Sequence, residues 1–244
     1  ISLGAGVNLA NVETENITVA NGIVFGIGAS FVPDVTSTLS IGGAIQKLEV
    51  KDNNWHLISS PVVGEEYDDN WITANGIASG VVNNRGISTY DNSAVDTDTD
   101  GAGPDTATGY WRYFQAGATA TFGDGVGYAV KATDTTGDIY EFIGTFKAGT
   151  IISAITQGVT SYNLVGNPYS AYIDIAAFIT ANTTKFPALA QTVYVWDAVN
   201  SAYTSLTSGY LQPGQAFFID TKAASTSVDF TLAMQGHDAS ATFY

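Results

Sequence analysis

The 244-residue chain carries 23 acidic against 8 basic side chains, and a net charge of −15 repels nucleic-acid backbones and anionic lipid heads alike. It has no cysteine, which excludes disulfides, thiolate metal sites and cysteine nucleophiles, and no apolar run long enough for a membrane-spanning helix. Hydrophobic residues make up 45%, enough for a folded core, and 26 glycines beside many Thr, Val, Ile and Tyr favour strands and tight turns over helices.

Residues 1–48 form a first segment of short strands around small-residue turns. Ile1 to Leu9 and Ile23 to Phe31 alternate in the strand period, and Ile17-Thr18-Val19-Ala20-Asn21-Gly22 between them ends in an Asn-Gly turn signal. Gly4-Ala5-Gly6 and Gly26-Ile27-Gly28 recur 22 residues apart, the spacing of β-solenoid rungs; an ordinary β-meander is the alternative.

From about residue 49 the chain says the same thing twice. Asn54-Trp55-His56-Leu57-Ile58-Ser59-Ser60-Pro61 is echoed by Ser161-Tyr162-Asn163-Leu164-Val165-Gly166-Asn167-Pro168, 107 residues on. Trp71-Ile72-Thr73-Ala74-Asn75 returns as Phe178-Ile179-Thr180-Ala181-Asn182 at the same offset. A shared offset across separate motifs reads as a duplicated unit, residues 49–155 and 156–244. In the second copy Asp174 is placed to cap a helix whose Ile175, Phe178 and Ile179 share one face. Asp69 to Asn75 is the corresponding single turn.

Strands follow at Gly86 to Asp91, Tyr110 to Phe114, Gly127 to Ala132 and Ile139 to Phe146. Their counterparts are Thr192 to Asp197, Gly214 to Ile219 and Val228 to Leu232. The offset falls to 89 beyond Asp91, so the first copy carries an insertion. We expect an all-β fold: the short-strand or β-solenoid-like segment, then two related β-sandwich units of jelly-roll or Greek-key character.

The insertion holds Asp96-Thr97-Asp98-Thr99-Asp100-Gly101-Ala102-Gly103-Pro104-Asp105, whose alternate aspartates before glycine resemble the opening of a calcium loop. Ala107 stands where an EF-hand needs its bidentate Glu, which leaves two readings. One is a non-standard calcium site from Asp96, Asp98, Asp100 and Asp105; the other is a solvated hairpin extension. Trp111, Arg112 and Tyr113 follow the insertion directly and are the candidate ligand platform. Trp55, Trp71 and Trp196 align with Tyr162, Phe178 and Tyr90 in the other copy, so ring character retained in both reads as core packing.

No catalytic constellation emerges. Glu65-Glu66-Tyr67-Asp68-Asp69 invites comparison with the paired carboxylates of glycosidases, but the second copy keeps only Asp174 there, and a solvated loop is expected. His56 aligns with Asn163 and reads as a polar edge residue; His237 stands beside Asp238 with no Gly-x-Ser-x-Gly elbow in the chain. No phosphate-binding glycine loop follows a strand.

Asn54 to Val62, Asn83 to Tyr90, Tyr162 to Tyr169, Leu211 to Ile219 and Met234-Gln235-Gly236-His237 together resemble a module of large secreted and surface proteins of the Bacteroidetes, over about residues 45 to 244. In that family the module precedes a C-terminal sorting domain of the type IX secretion system. The resemblance implies export, with extracellular or cell-surface residence, and brings no established activity. Asp105-Thr106-Ala107 and Asp134-Thr135-Thr136 also match the short O-glycan acceptor pattern of this phylum. Beginning at Ile1, the chain is expected to be a piece of a longer protein. The expected role is a non-catalytic adhesion or structural module, with a carbohydrate-binding module or a filament subunit as alternatives. Its expected partners are a glycan, a cell-surface polymer or further copies of itself.

Overall fold

The computed structural model describes residues 2–3, 8–10, 17–33, 39–81, 83–93, 107–108 and 110–238. The protein is all-β, with two short helices and a single 3-10 turn among the described residues. The N-terminal strands pair in parallel at one constant spacing: Ser2 with Val24, Asn8 with Ser30 and Ile17 with Leu39. Three parallel ladders offset by the same 22 residues are stacked solenoid turns, not a meander, in which neighbours would run antiparallel. The turn between Val19 and Ile23 passes so close to Gly42 that a Cβ there would meet the Ala20 carbonyl oxygen at 2.2 Å.

The solenoid runs straight into the first repeat. Strand β1 (Ala44–Val50) pairs in parallel with Ile23–Phe25 on one side and antiparallel with β6 (Asp138–Phe146) on the other. The expected division at residue 48 therefore falls inside a strand. Ile23, Phe25 and Phe31 share one core with Leu48, Val50, Tyr140 and Phe142, because a two-turn solenoid has too little interior of its own.

Between β1 and β6 lie β2 (Trp55–Ile58), α1 (Asp69–Ala74), β3 (Asn84–Tyr90), β4 (Trp111–Gln115) and β5 (Tyr128–Lys131). The second repeat has β7 (Ile151–Ala154), β8 (Tyr162–Gly166), α2 (Ile175–Ala181), β9 (Val193–Asp197), β10 (Ala202–Leu206), β11 (Ala216–Asp220) and β12 (Ser227–Phe230). The pairing order is β2-β5-β3-β4 in one and β8-β11-β9-β10 in the other, with β1 on β6 matched by β7 on β12. β7, which precedes residue 156, pairs with β12 of the second repeat.

The repeated motifs have matching structural duties. Asp68 caps α1 by accepting from the Asn70 and Trp71 amides at 2.9 and 2.8 Å, and Asp174 caps α2 through the Ala177 amide at 3.1 Å. At the far ends, Asn75 Nδ2 donates to the Trp71 carbonyl while its Oδ1 accepts from the Glu141 amide at 2.6 Å. Asn182 repeats this with Phe178 and with Asp229, whose amide it receives at 2.8 Å. Each asparagine satisfies a helix-end carbonyl and clamps the helix to the last strand of its repeat. Ile175, Phe178 and Ile179 are buried, so α2 faces the second core with Val193, Val195, Phe217 and Phe230.

The two repeats meet about a pseudo-two-fold axis. Ile58 bridges Gln215 and Val165 bridges Val126, which are equivalent pairs under the repeat. The Ser59 amide donates to the Gly214 carbonyl at 2.7 Å, and its counterpart Gly166 donates to Gly125 at 3.0 Å. Reciprocal contacts of this kind define an isologous interface, here within one chain. Backbones come close enough that a Cβ on Gly166 would meet the Ser59 Cβ at 2.3 Å, and one on Gly127 the Leu164 Cγ at 2.5 Å.

Candidate functional site

Strand alternation sends every second side chain away from its own core. In β3, Ile87 enters the first core while Ser88 and Tyr90 turn outward; in β9, Val193 and Val195 enter the second while Tyr194 and Trp196 turn outward. These outward faces of the two sheets, one of five strands with Ala107–Thr108 at its edge and one of four, are turned toward one another. Leu57, Ala129, Leu164, Ala216 and Phe218 form a small buried cluster between them, and Trp55, Tyr90, Trp111, Tyr194 and Trp196 pack around it, partly buried.

Two adjoining cavities open in this seam. One, about 190 Å³, has a floor of Leu57, Ser88 and Ala129 and walls of Trp55, Trp111, Tyr113, Trp196 and Tyr203. The other, about 350 Å³, is bounded by Tyr90, Trp111, Tyr162, Tyr194, Tyr203 and Phe218. They are related by the pseudo-two-fold. Tyr90 sits opposite Trp111 in the first sheet as Trp196 sits opposite Tyr203 in the second, which aligns these positions. Trp55 then corresponds to Tyr162, Ser88 to Tyr194 and Ala129 to Phe218. Trp111 and Tyr203, equivalent to each other, border both cavities.

The rings are held in edge-to-face contact: Tyr90 on Phe218 at 4.8 Å, Tyr90 on Trp111 at 5.4 Å, and Trp196 on Tyr203 at 4.9 Å. Such pairs fix ring orientation beyond what burial alone achieves. The Trp196 indole N–H donates to the Trp55 carbonyl at 2.9 Å across the seam. Burial raises the Tyr90 and Tyr194 phenols above their usual value, so they remain neutral. Among the described residues no charged side chain lines either cavity. Ser88 is 2% exposed, and its hydroxyl has no hydrogen-bond partner among the described residues.

Of the platform expected from the sequence, Trp111 and Tyr113 face the first cavity. Arg112 does not, because it is one residue out of phase on β4. It lies beside Tyr67, Ile87 and Phe114 on the opposite face, with its Nε 3.7 Å from Asp91. Trp71 is a core residue, but Trp55 and Trp196 are cavity walls; ring retention across the copies reflects their place in the seam. Ser88, Tyr90, Tyr162, Tyr194 and Tyr203 escaped the sequence reading. Their signal was the phase of β3 and β9, with apolar Ile87, Val193 and Val195 on the alternate positions.

The acidic candidates separate. Asp96, Asp98, Asp100 and Asp105 lie outside the described residues. Among the described residues no group of three or more His, Asp or Glu is placed to hold a metal. The Glu65–Asp69 run is not a solvated loop: Glu65 is 8% exposed and accepts from the Ile143 amide, and burial raises its carboxyl to about 7. Asp68 is spent on the α1 cap, and Asp69 pairs with Arg85 at 2.9 Å and accepts from the Gly117 amide at 2.8 Å. His56 does stand on an edge strand, β2, but it is buried there and contacts Asp52 at 3.0 Å. His237 Nδ1 lies 2.7 Å from Ser30 Oγ, tying the segment after the 3-10 turn to the solenoid.

No curated protein and no solved structure matches this chain significantly. Residues 14–210, which reach from the solenoid through the first repeat and far into the second, match the sequence profile of a domain of unknown function (DUF8693), and the protein belongs to that family.

Proposed function

We propose that this protein is a non-catalytic carbohydrate-binding module of a secreted or surface-displayed protein, serving adhesion through the aromatic seam between its repeats. The observation that carries the reading is the pair of ring-walled cavities, whose lining among the described residues carries no charge. A pyranose presents an apolar C–H face that stacks on a flat ring and a rim of hydroxyls that need polar partners. Cavities lined mainly by rings with a few placed polar groups suit such a ligand. The non-catalytic part is supported by Glu65, Asp68 and Asp69, whose carboxylates are engaged in local structure. Extracellular residence draws its support from the resemblance to Bacteroidetes surface modules, and calcium at Asp96, Asp98, Asp100 and Asp105 from the sequence pattern. Binding of the purified chain to an immobilised glycan panel, lost on Trp111→Ala, is the expected result. A panel with no binder, or binding indifferent to that substitution, overturns the proposal.

A second reading, assembly of copies into a filament or sheath, is favoured by the parallel ladders. Ser2–Leu3, Asn8–Ala10 and Ile17–Val19 are paired on one side only among the described residues, and an open strand edge is a template for a further strand. Ordered polymers of purified protein under the electron microscope would support it.

A further inference from the structure

We infer that the seam is a two-subsite groove for one uncharged oligosaccharide chain lying across the pseudo-two-fold, with unequal subsites distinguished by Ser88. The inference rests on the carbohydrate reading above and specifies its ligand. Trp111 and Tyr203 each border both cavities, so a chain passing from one to the other never leaves ring surface. The described lining carries no charge, which favours an uncharged ligand, and a protein of net charge −15 adds a field that disfavours uronic or sulfated chains.

The inequality follows from substitutions between the copies. Under the first cavity the floor is Ser88 and Ala129; the equivalent floor of the second is Tyr194 and Phe218. Small residues leave depth for a sugar to enter edge-first, and the buried Ser88 hydroxyl, unpaired among the described residues, meets its hydroxyls there. A buried polar group without a partner is costly, and a ligand hydroxyl removes that cost. In the second subsite large rings close the floor, and Tyr162 and Tyr203, at 41% and 50% exposure, offer surface for stacking alone.

The test is calorimetric titration with cellobiose and cellohexaose, the matched laminari-, manno- and xylo- pairs, and oligogalacturonate as the anionic control. For at least one linkage, the hexasaccharide should bind at least about 10-fold more tightly than its disaccharide. Tyr162→Ala, at an exposed ring of the second cavity, should bring the hexasaccharide down toward disaccharide affinity. Ser88→Ala should weaken both by about 2- to 10-fold, the net worth of one hydrogen bond. Equal affinity for the two lengths overturns the two-subsite inference while the carbohydrate reading stands. An unaltered affinity in Ser88→Ala overturns the role of that hydroxyl, and oligogalacturonate bound as tightly as neutral chains overturns the uncharged ligand. Failure of every oligosaccharide to bind overturns the carbohydrate reading itself.

Discussion

Lys147 is an ammonium in the interior of an acidic protein, and removing its counter-charge provides a strong test of how the repeats are joined. Its side chain is fully buried just after β6, with Nζ 2.9 Å from Asp124 Oδ1 and 2.9 Å from the Ser60 carbonyl. It thereby ties the end of one strand to the turns after β2 and before β5, close to the seam. Burial lowers the Lys147 pKa, and Asp124 opposes that shift. Breaking a fully enclosed ion pair by deleting one partner costs about 3–5 kcal/mol. The Asp124 side chain is 42% exposed, so water screens the pair, and we expect Asp124→Asn to lose about 2 kcal/mol at pH 7. For a chain of this length that is a fall of about 4–8 °C in Tm. Urea unfolding with linear extrapolation supplies the free energy and calorimetry the midpoint. The sign with pH is fixed: a lysine whose folded pKa is depressed favours the neutral amine in the folded state. The variant's deficit should therefore shrink as pH rises through that depressed value toward 10.5. Combining Asp124→Asn with Lys147→Met should be no worse than Asp124→Asn alone, because the unpaired charge is gone. A deficit under about 0.5 kcal/mol, or one constant up to pH 10.5, refutes the argument.

Three further outcomes are expected. Glu65, raised to about 7 mainly by burial, destabilises the fold as it ionises, so stability is fully present below about 4.5 and falls as pH rises through 7. Glu65→Gln should hence raise Tm at pH 8 and have little effect at pH 4.5; a pH-independent difference in thermal melts contradicts this. Gly166→Ala should cost about 1–3 kcal/mol in urea unfolding, since its Cβ would collide with Ser59 across the pseudo-two-fold, and Ser59→Gly added to it should restore part of the loss. No loss would mean the repeats do not approach as described. Calcium should stabilise the chain by about 2–3 kcal/mol at a hundredfold excess over its Kd, and Asp98→Asn with Asp100→Asn should abolish the gain; a Tm indifferent to calcium removes the site.

Local rules in the sequence were enough for some elements. Asp174 as a cap and Ile175, Phe178 and Ile179 on one face describe α2 as it stands, because capping and helical phase depend only on near neighbours. The 22-residue spacing of small-residue turns anticipated the parallel ladders of the solenoid. Other features depended on distant partners. Glu65 looks solvated among its acidic neighbours, yet the Ile143 amide 78 residues away takes its carboxylate into the interior. Arg112 was grouped with Trp111 and Tyr113 by adjacency, whereas the strand period places it on the opposite face.

By itself the amino-acid order determined the β class, the doubled unit and the points where each helix starts, since period and offset are properties of a single strand of text. Only tertiary structure decided that the outward faces of the two sheets confront each other, and so that Trp55 and Trp196 wall a cavity rather than fill a core. Alternation tells which side chains share a face but carries no information about what covers that face. That one cavity rests on Ser88 and Ala129 and its counterpart on Tyr194 and Phe218 is a contrast visible only once the strands are laid against one another.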